Sequence, residues 1–279
     1  MNQIQNTSEK EKLLRLIEVP NLPRGRVRLL LAGERYIPRL NLSQWGIQAL
    51  PLSFYAGLEP LVADHADMQV LHLYGNKIVS NSDILCKVMS LYREYISRNA
   101  CKGSNLSIVA EAGKHRDLFQ YPESAAYNVL ILGKYAIFNP NCVDRTVWNL
   151  LKTRYLCVPV RQGYARCSSC IVGENAVITA DPGIKKTLTG LGIDVLDITP
   201  GYIQLPGYAY GFIGGASFKI SEHQLAFTGR LDMHPDYFRM LGFLEEHDTE
   251  PVFLSDEPAF DMGSATLLLE IAEEESVEI

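Results

Sequence analysis

The chain has 279 residues, a formal net charge of −6 and 47% apolar residues. That is room for one large domain or two small ones, and no apolar run approaches the roughly 18 residues a membrane-spanning helix needs. The negative balance argues against a nucleic-acid partner, because neutralising phosphates takes clustered Lys and Arg. Met1 to Lys12 is polar and lacks the apolar core and cleavage site of a secretory signal, so a cytoplasmic location is expected. Six cysteines (Cys86, Cys101, Cys142, Cys157, Cys167, Cys170) are scattered apart from one CxxC pair. In that compartment they are expected to be thiols.

Ser8 and Glu11 have the spacing of a capping box, which predicts a helical N-terminal extension over 1–23. From there RVRLLLAG, a short helix opening near Pro38, and IQALPLS read as β-α-β. The next stretch adds a strand in front: MQVLHLY, NKIVS, a helix from Ser82 to about Ser97, and LSIVAEA. In that helix Leu85, Val88, Tyr92, Tyr95 and Ile96 share a face. YNVLILG and KYAIFN form a hairpin around Gly133-Lys134. A helix comes next with Val143, Val147, Leu150 and Leu151 on one side, and YLCVPV ends the unit. SCIVGE, NAVITAD, PGIKKTLTGLG and IDVLDI repeat the pattern, with Pro182 in the first helical turn and Gly192 after the last. GFIGGASFKIS, HQLAFTG, HPDYFRMLGFLEEH and TEPVFLS repeat it again.

Four full ββαβ units and one incomplete unit are therefore expected. The strand missing from the first is supplied by GSATLLLE, residues 263–270, pairing beside 27–31. Such closure into a ring removes exposed sheet edges. The fold class is α/β: a five-fold pseudosymmetric propeller over 24–271, with an acidic tail at 272–279. Open α/β sheets built from similar strings are the plainer alternative.

In such a ring the start of each leading strand would face the centre. These starts contain Asp67, Asn128 after Tyr127, Tyr164 to Ser168, Gly214-Gly215, and Asp261 with Ser264. Polar and small residues there suit a small polar ligand, although strand beginnings are often polar for being near the surface. Asp67 and Asp261 could clamp a guanidinium, or could cap turns. His72, in a leading strand, reads as a ligand contact or as a satisfied core residue. Cys167 and Cys170 read as a redox pair, half a metal site, a nucleophile, or two buried thiols. No second CxxC or HxxxH completes a zinc site, so no metal is expected. Gly214-Gly215 opens no GxGxxG helix and permits close backbone approach instead, so no cofactor is expected. Arg166 beside Cys167 would favour its thiolate. Cys167, ahead of the apolar run, is expected to be the more reactive thiol.

The segments HADMQVLHLYGNKIV, AYNVLILGKYAIFN, VRQGYARCSSCIVGENAVITAD, PGYIQLPGYAYGFIGGASFKIS, HPDYF and LSDEPAFDMGS resemble an uncharacterised bacterial family of the guanidino-group-modifying, or pentein, superfamily. The resemblance implies a thiolate attacking a guanidinium carbon, a histidine moving protons and carboxylates holding the nitrogens. It also implies the nucleophile in the last leading strand, where Gly263-Ser264-Ala265-Thr266 stands, and the histidine near Tyr164. The acid of a Gly-Gly-Asp motif is replaced by Ala216. One expectation is therefore a divergent thiol enzyme using Cys167 or Cys170, with Asp67, His72, Asn128, Tyr164, Arg166, Gly214, Gly215, Asp261 and Ser264 around a small ligand. The other is a non-catalytic binding protein of the same fold.

Overall fold

The computed structural model of the protein describes residues 14–99, 105–113 and 118–271. The capping-box residues Ser8 and Glu11 and the acidic tail lie outside them. The described end of the expected helical extension is a strand instead: β1 (Leu14–Leu16) pairs antiparallel with the last strand of the chain. Its three residues are too few for a helical period to show, and the unpaired edge of a distant strand decides their conformation.

The first unit holds β2 (Arg26–Gly33), two 3-10 turns (Ile37–Arg39 and Leu42–Trp45) and β3 (Gln48–Leu52). The second holds a single helical turn α1 (Ala66–Gln69), then β4 (Val70–Tyr74), β5 (Lys77–Ser80), α2 (Ser82–Asn99) and β6 (Val109–Ala112). The third is β7 (Leu130–Leu132), β8 (Tyr135–Phe138), α3 (Arg145–Leu151) and β9 (Leu156–Pro159). The fourth is β10 (Ser169–Gly173), β11 (Ala176–Thr179), α4 (Pro182–Gly190) and β12 (Asp194–Asp197). The fifth is β13 (Ser217–Ser221), β14 (Gln224–Phe227), α5 (Tyr237–Glu246) and β15 (Glu250–Phe253), and β16 (Thr266–Ile271) ends the described chain.

In units two to five an antiparallel hairpin is followed by a helix and a strand parallel to the middle one. In the first unit β16 takes the leading place, antiparallel to β2 with Thr266 opposite Leu31 and Ile271 opposite Arg26. The sheet order is β1-β16-β2-β3. Glu270 fastens this join. Its buried carboxylate accepts from Arg15 Nε (2.7 Å), Arg24 N (2.8 Å) and Gly25 N (2.9 Å).

Local signals explain the elements. Asp144 accepts from the Thr146 and Val147 amides, and Asp181 from Ile184, which caps α3 and α4. Gly192, at φ +80°, ends the α4 turn in the left-handed region that glycine enters without strain. Helix α2 buries Ile84, Leu85, Val88, Tyr92 and Tyr95.

Apolar packing joins each unit to the next. Leu29, Leu31 and Leu269 pack with Val70 and Ile78, then Leu71 and Val79 with Val129 and Ile131. Leu130 and Ile137 pack with Ile171 and Val177, and Cys170 and Ile178 with Leu225 and Phe227. Phe218 and Ile220 of the fifth unit meet Val27, Leu30 and Leu267 of the first. The residues ahead of each leading strand are left at the middle of this arrangement.

Candidate active site

Five short turns meet there, one ahead of each leading strand, and hydrogen bonds tie them together. Cys167 Sγ donates to Asp67 Oδ2 at 2.7 Å and accepts from Asn128 Nδ2 at 3.1 Å. Asn128 Oδ1 accepts from the amides of Arg166 (2.8 Å) and Cys167 (3.3 Å). The Gly215 amide donates to Cys167 O at 2.9 Å, and Gly215 O accepts from Met262 N (3.1 Å) and Ser264 N (2.8 Å). The Asp67 amide donates to Gly263 O at 3.1 Å. Each unit thus contributes a polar group that another unit satisfies.

Arg166 is a strut in this network. Its guanidinium donates to Ser169 O (3.1 Å), Gly214 O (3.2 Å), Asn21 Oδ1 (3.2 Å) and Ser264 Oγ. Ser264 Oγ in turn donates to Ser217 O at 2.9 Å. Ser264 sits at φ +58°, a left-handed conformation that costs a residue with a Cβ on the order of 1 kcal/mol. The surrounding bonds hold it there.

Asp261 is fitted into backbone. Its Oδ2 accepts from Phe212 N (2.8 Å) and its Oδ1 from Gly263 N (2.9 Å). A Cβ at Gly215 would stand 1.9 Å from Asp261 Oδ1, and one at Gly211 would stand 2.4 Å from Asp261 Cβ. A Cβ at Gly214 would meet Ser169 O at 2.4 Å. The glycine pair therefore permits close approach of a carboxylate and a neighbouring turn, the structural half of what its sequence suggests.

His65 is a member of the site that sequence reasoning missed. Buried, it places Nδ1 3.8 Å from Asp261 Oδ1 and Nε2 3.1 Å from Tyr36 Oη. Tyr36 stacks on Phe260, beside Asp261. His65 precedes Asp67 by two residues, ahead of the expected strand, so a search along strand starts passes over it. Burial pushes its pKa down, partly opposed by Asp261.

The electrostatics correct one expectation outright. Burial, then the charges of Asp67 and Asp261, raise the Cys167 thiol well above its usual pKa. Arg166 does not outweigh them: its guanidinium is turned to carbonyls and Ser264 and is not hydrogen-bonded to the sulfur. Cys167 is also no more open than its partner: both thiols are buried and free. Burial and Asp261 push Asp67 up to about 7, against the relief from its bond to Cys167. Asp67 thus changes charge near neutral pH while receiving the thiol hydrogen. Its other oxygen, Oδ1, has no hydrogen-bond partner.

Cys170 and His72 stand apart from the thiol centre. Cys170 lies in the apolar cluster between units four and five, its pKa pushed up to about 11 by burial. His72 bonds Gly75 O through Nε2 at 2.9 Å, and burial pushes its pKa down to about 4. It meets Asp67 and Arg166 only across a cavity of about 20 Å³, room for about one water. Tyr164 is half-buried, sharing a hydrogen bond with Ser124 Oγ at 2.9 Å and tilting against Phe212 with ring centres 6.4 Å apart. Among the described residues, no three His, Cys, Asp or Glu side chains are arranged to hold a metal ion, and no helix is long and apolar enough to cross a membrane.

The family described as "Family of unknown function (DUF6873)" matches residues 37–266. The chain belongs to that family. No curated protein matches its sequence. Among solved structures, inosamine-phosphate amidinotransferase from Streptomyces griseus is similar with a TM-score of 0.54 at 10% identity, covering 95% of this chain and 99% of that one. SxtG, an amidinotransferase from Microseira wollei in the saxitoxin biosynthetic pathway, gives 0.51 at 10%, covering 86% and 91%. An agmatine deiminase from C. jejuni gives 0.51 at 6%, covering 90% and 93%. At these identities the likeness establishes the fold, and this DUF6873 chain has the pentein fold.

Proposed function

We propose that this protein is a thiol-dependent enzyme on a small guanidino or amino compound, with Cys167 as nucleophile and Asp67 as the base that takes its proton. The observation that carries the reading is the 2.7 Å contact from Cys167 Sγ to Asp67 Oδ2, in a centre that also holds Asp261 and His65. The pentein fold supports it, since structural neighbours are amidinotransferases and an agmatine deiminase.

With a guanidinium substrate, the ligand's positive charge offsets the burial and the carboxylates that together keep the thiol protonated, and the Cys167 proton passes to Asp67. The sulfur attacks the guanidinium carbon and a C–S bond forms. The C–N bond breaks, and the departing amine takes the proton from Asp67. Water or a second amine then attacks the same carbon, the C–S bond breaks, and the thiol recovers a proton. Asp261 and Asn128 would orient the nitrogens. His65, adjoining Asp261, would hold that carboxylate in place. The free thiols and acidic composition suit a cytoplasmic enzyme with no nucleic-acid partner.

A second reading is a non-catalytic pentein-fold binder. The observation favouring it is that the central polar groups largely satisfy one another and the thiol is held protonated. Screening small guanidines, amidines and amino acids for release of ammonia or amine separates the two. Turnover by the wild type that Cys167→Ser abolishes and Cys170→Ser retains establishes the enzyme. Ligand binding without turnover, unaffected by Cys167→Ser, establishes the binder.

A further inference from the structure

The leading strand of the fifth unit carries a charge that the polar centre does not use. In β13, Phe218 and Ile220 face the apolar cluster shared with the first unit. Lys219, between them, turns toward the fourth unit and is only 3% exposed. Its Nζ donates to Val172 O at 2.9 Å and to Thr249 Oγ1 at 3.3 Å. Among the described residues no carboxylate oxygen lies within ion-pair distance of it. Val172, Thr249 and Lys219 all line one pocket of about 570 Å³, walled also by Val19, Leu22 and Pro23. Lys219 is therefore buried in the wall of this pocket, its amine held by two acceptors that also line it.

We propose that Lys219 is a nucleophilic amine whose pocket takes a small aldehyde or ketone as a covalent imine. The neutral amine attacks the carbonyl carbon and a C–N bond forms. The nitrogen gives up both hydrogens, the carbonyl oxygen leaves with them as water, and a C=N bond remains. No oxidant or reductant is consumed. A buried amine is suited to this because desolvation favours the uncharged form. Burial brings Lys219 down to about 8, with Cys170, Glu222 and Asp248 opposing the shift. The other charged or titratable groups around the pocket are Arg24, Glu174, His223 and His247. His223 and His247 face Asp248 and Asp194 at 3.0 Å each, so no strong net charge selects an anion, and the amine sets the chemistry.

The test uses the whole protein, pyridoxal 5′-phosphate as probe, borohydride to reduce the imine, and peptide mapping by mass spectrometry. The expected result is modification of Lys219 at least about tenfold faster than of Lys185 or Lys186, with the rate half-maximal near pH 8, and its loss in Lys219→Met. Pyridoxal, which lacks the phosphate, should show the same preference. A preference seen only with the phosphorylated probe would mean anion capture at Arg24 and would overturn the proposal. So would labelling of Lys219 no faster than that of the two helix lysines. Apart from the loss in Lys219→Met, these outcomes are read on the wild type, so they stand even if that variant fails to fold.

Discussion

Asp67→Asn should stabilise the protein in a pH-dependent way. Asp67 is buried beside Asp261, and its pKa rises from 3.8 to about 7. A folded-state pKa above the unfolded value means that the folded chain binds more protons between about pH 4 and 7. Stability is then lost as pH rises through that window, and the full deficit is present above 7. Roughly three units correspond to about 4 kcal/mol as an upper bound. Asparagine cannot ionise, so the variant escapes this loss, less about 1 kcal/mol for the altered hydrogen bond to Cys167. At pH 8 it should exceed wild type by about 3 kcal/mol, roughly 5 °C in Tm for a chain of this size. At pH 4.5 the two should nearly coincide. Thermal and urea unfolding followed by circular dichroism at four pH values measures the difference. A Tm difference constant across pH, or a variant less stable at pH 8, would refute the claim that an ionised Asp67 is under strain here.

At pH 8 Cys167 should alkylate with iodoacetamide at least about tenfold more slowly than exposed Cys86, and Asp67→Asn should speed it, since a nearby anion disfavours the thiolate; equal rates at both cysteines would contradict the electrostatics. Gly215→Ala must push a Cβ into Asp261 and should cost about 1–3 kcal/mol, so an unchanged urea midpoint would show that the carboxylate can move. Glu270→Gln weakens three charged hydrogen bonds between the two ends of the fold and should cost about 2–4 kcal/mol, a loss that wild-type-like unfolding would rule out. His72 has its pKa lowered to about 4, so the unfolded chain binds more protons between about 6.5 and 4 and stability falls as pH drops through that window. His72→Phe should remove up to about 3 kcal/mol of that acid loss, and an acid limb as steep as wild type would count against it.

The order of elements in units two to five was legible because each of these carries its own hairpin turn and helix close together in the chain. The β16–β2 pairing was legible as a deficit: a unit one strand short and a spare strand elsewhere. The polar centre proposed as a site was legible only in outline. Asp67, Asn128, Cys167, Gly215 and Ser264 do meet, since they hold equivalent places ahead of leading strands. Which atoms touch depends on rotamers set by contacts between units, and no local pattern records these. Arg166 adjoins Cys167 in the chain, yet its side chain turns to Gly214 O and Ser264 Oγ, so adjacency misled about the thiol. Lys219 was hidden for the opposite reason: in an alternating strand a lysine reads as solvent-facing, and only the packing of the fourth unit against that face buries it.

The join between β2 and β16 also sets a schedule for synthesis. The bond from Gly25 to Glu270 links residues 245 apart. At about 5–20 residues per second, β2 waits roughly 12–50 s on the ribosome before its partner exists. During that time one edge of the strand holding Leu29, Leu30 and Leu31 is unpaired, the kind of template that other nascent chains can extend. The turn carrying Asp261 and Ser264 arrives with β16, so the centre remains without it until the last strand docks. A nascent chain stalled short of residue 260 would carry Cys167 beside Asp67 without Asp261, and its thiol would be the more easily ionised for it.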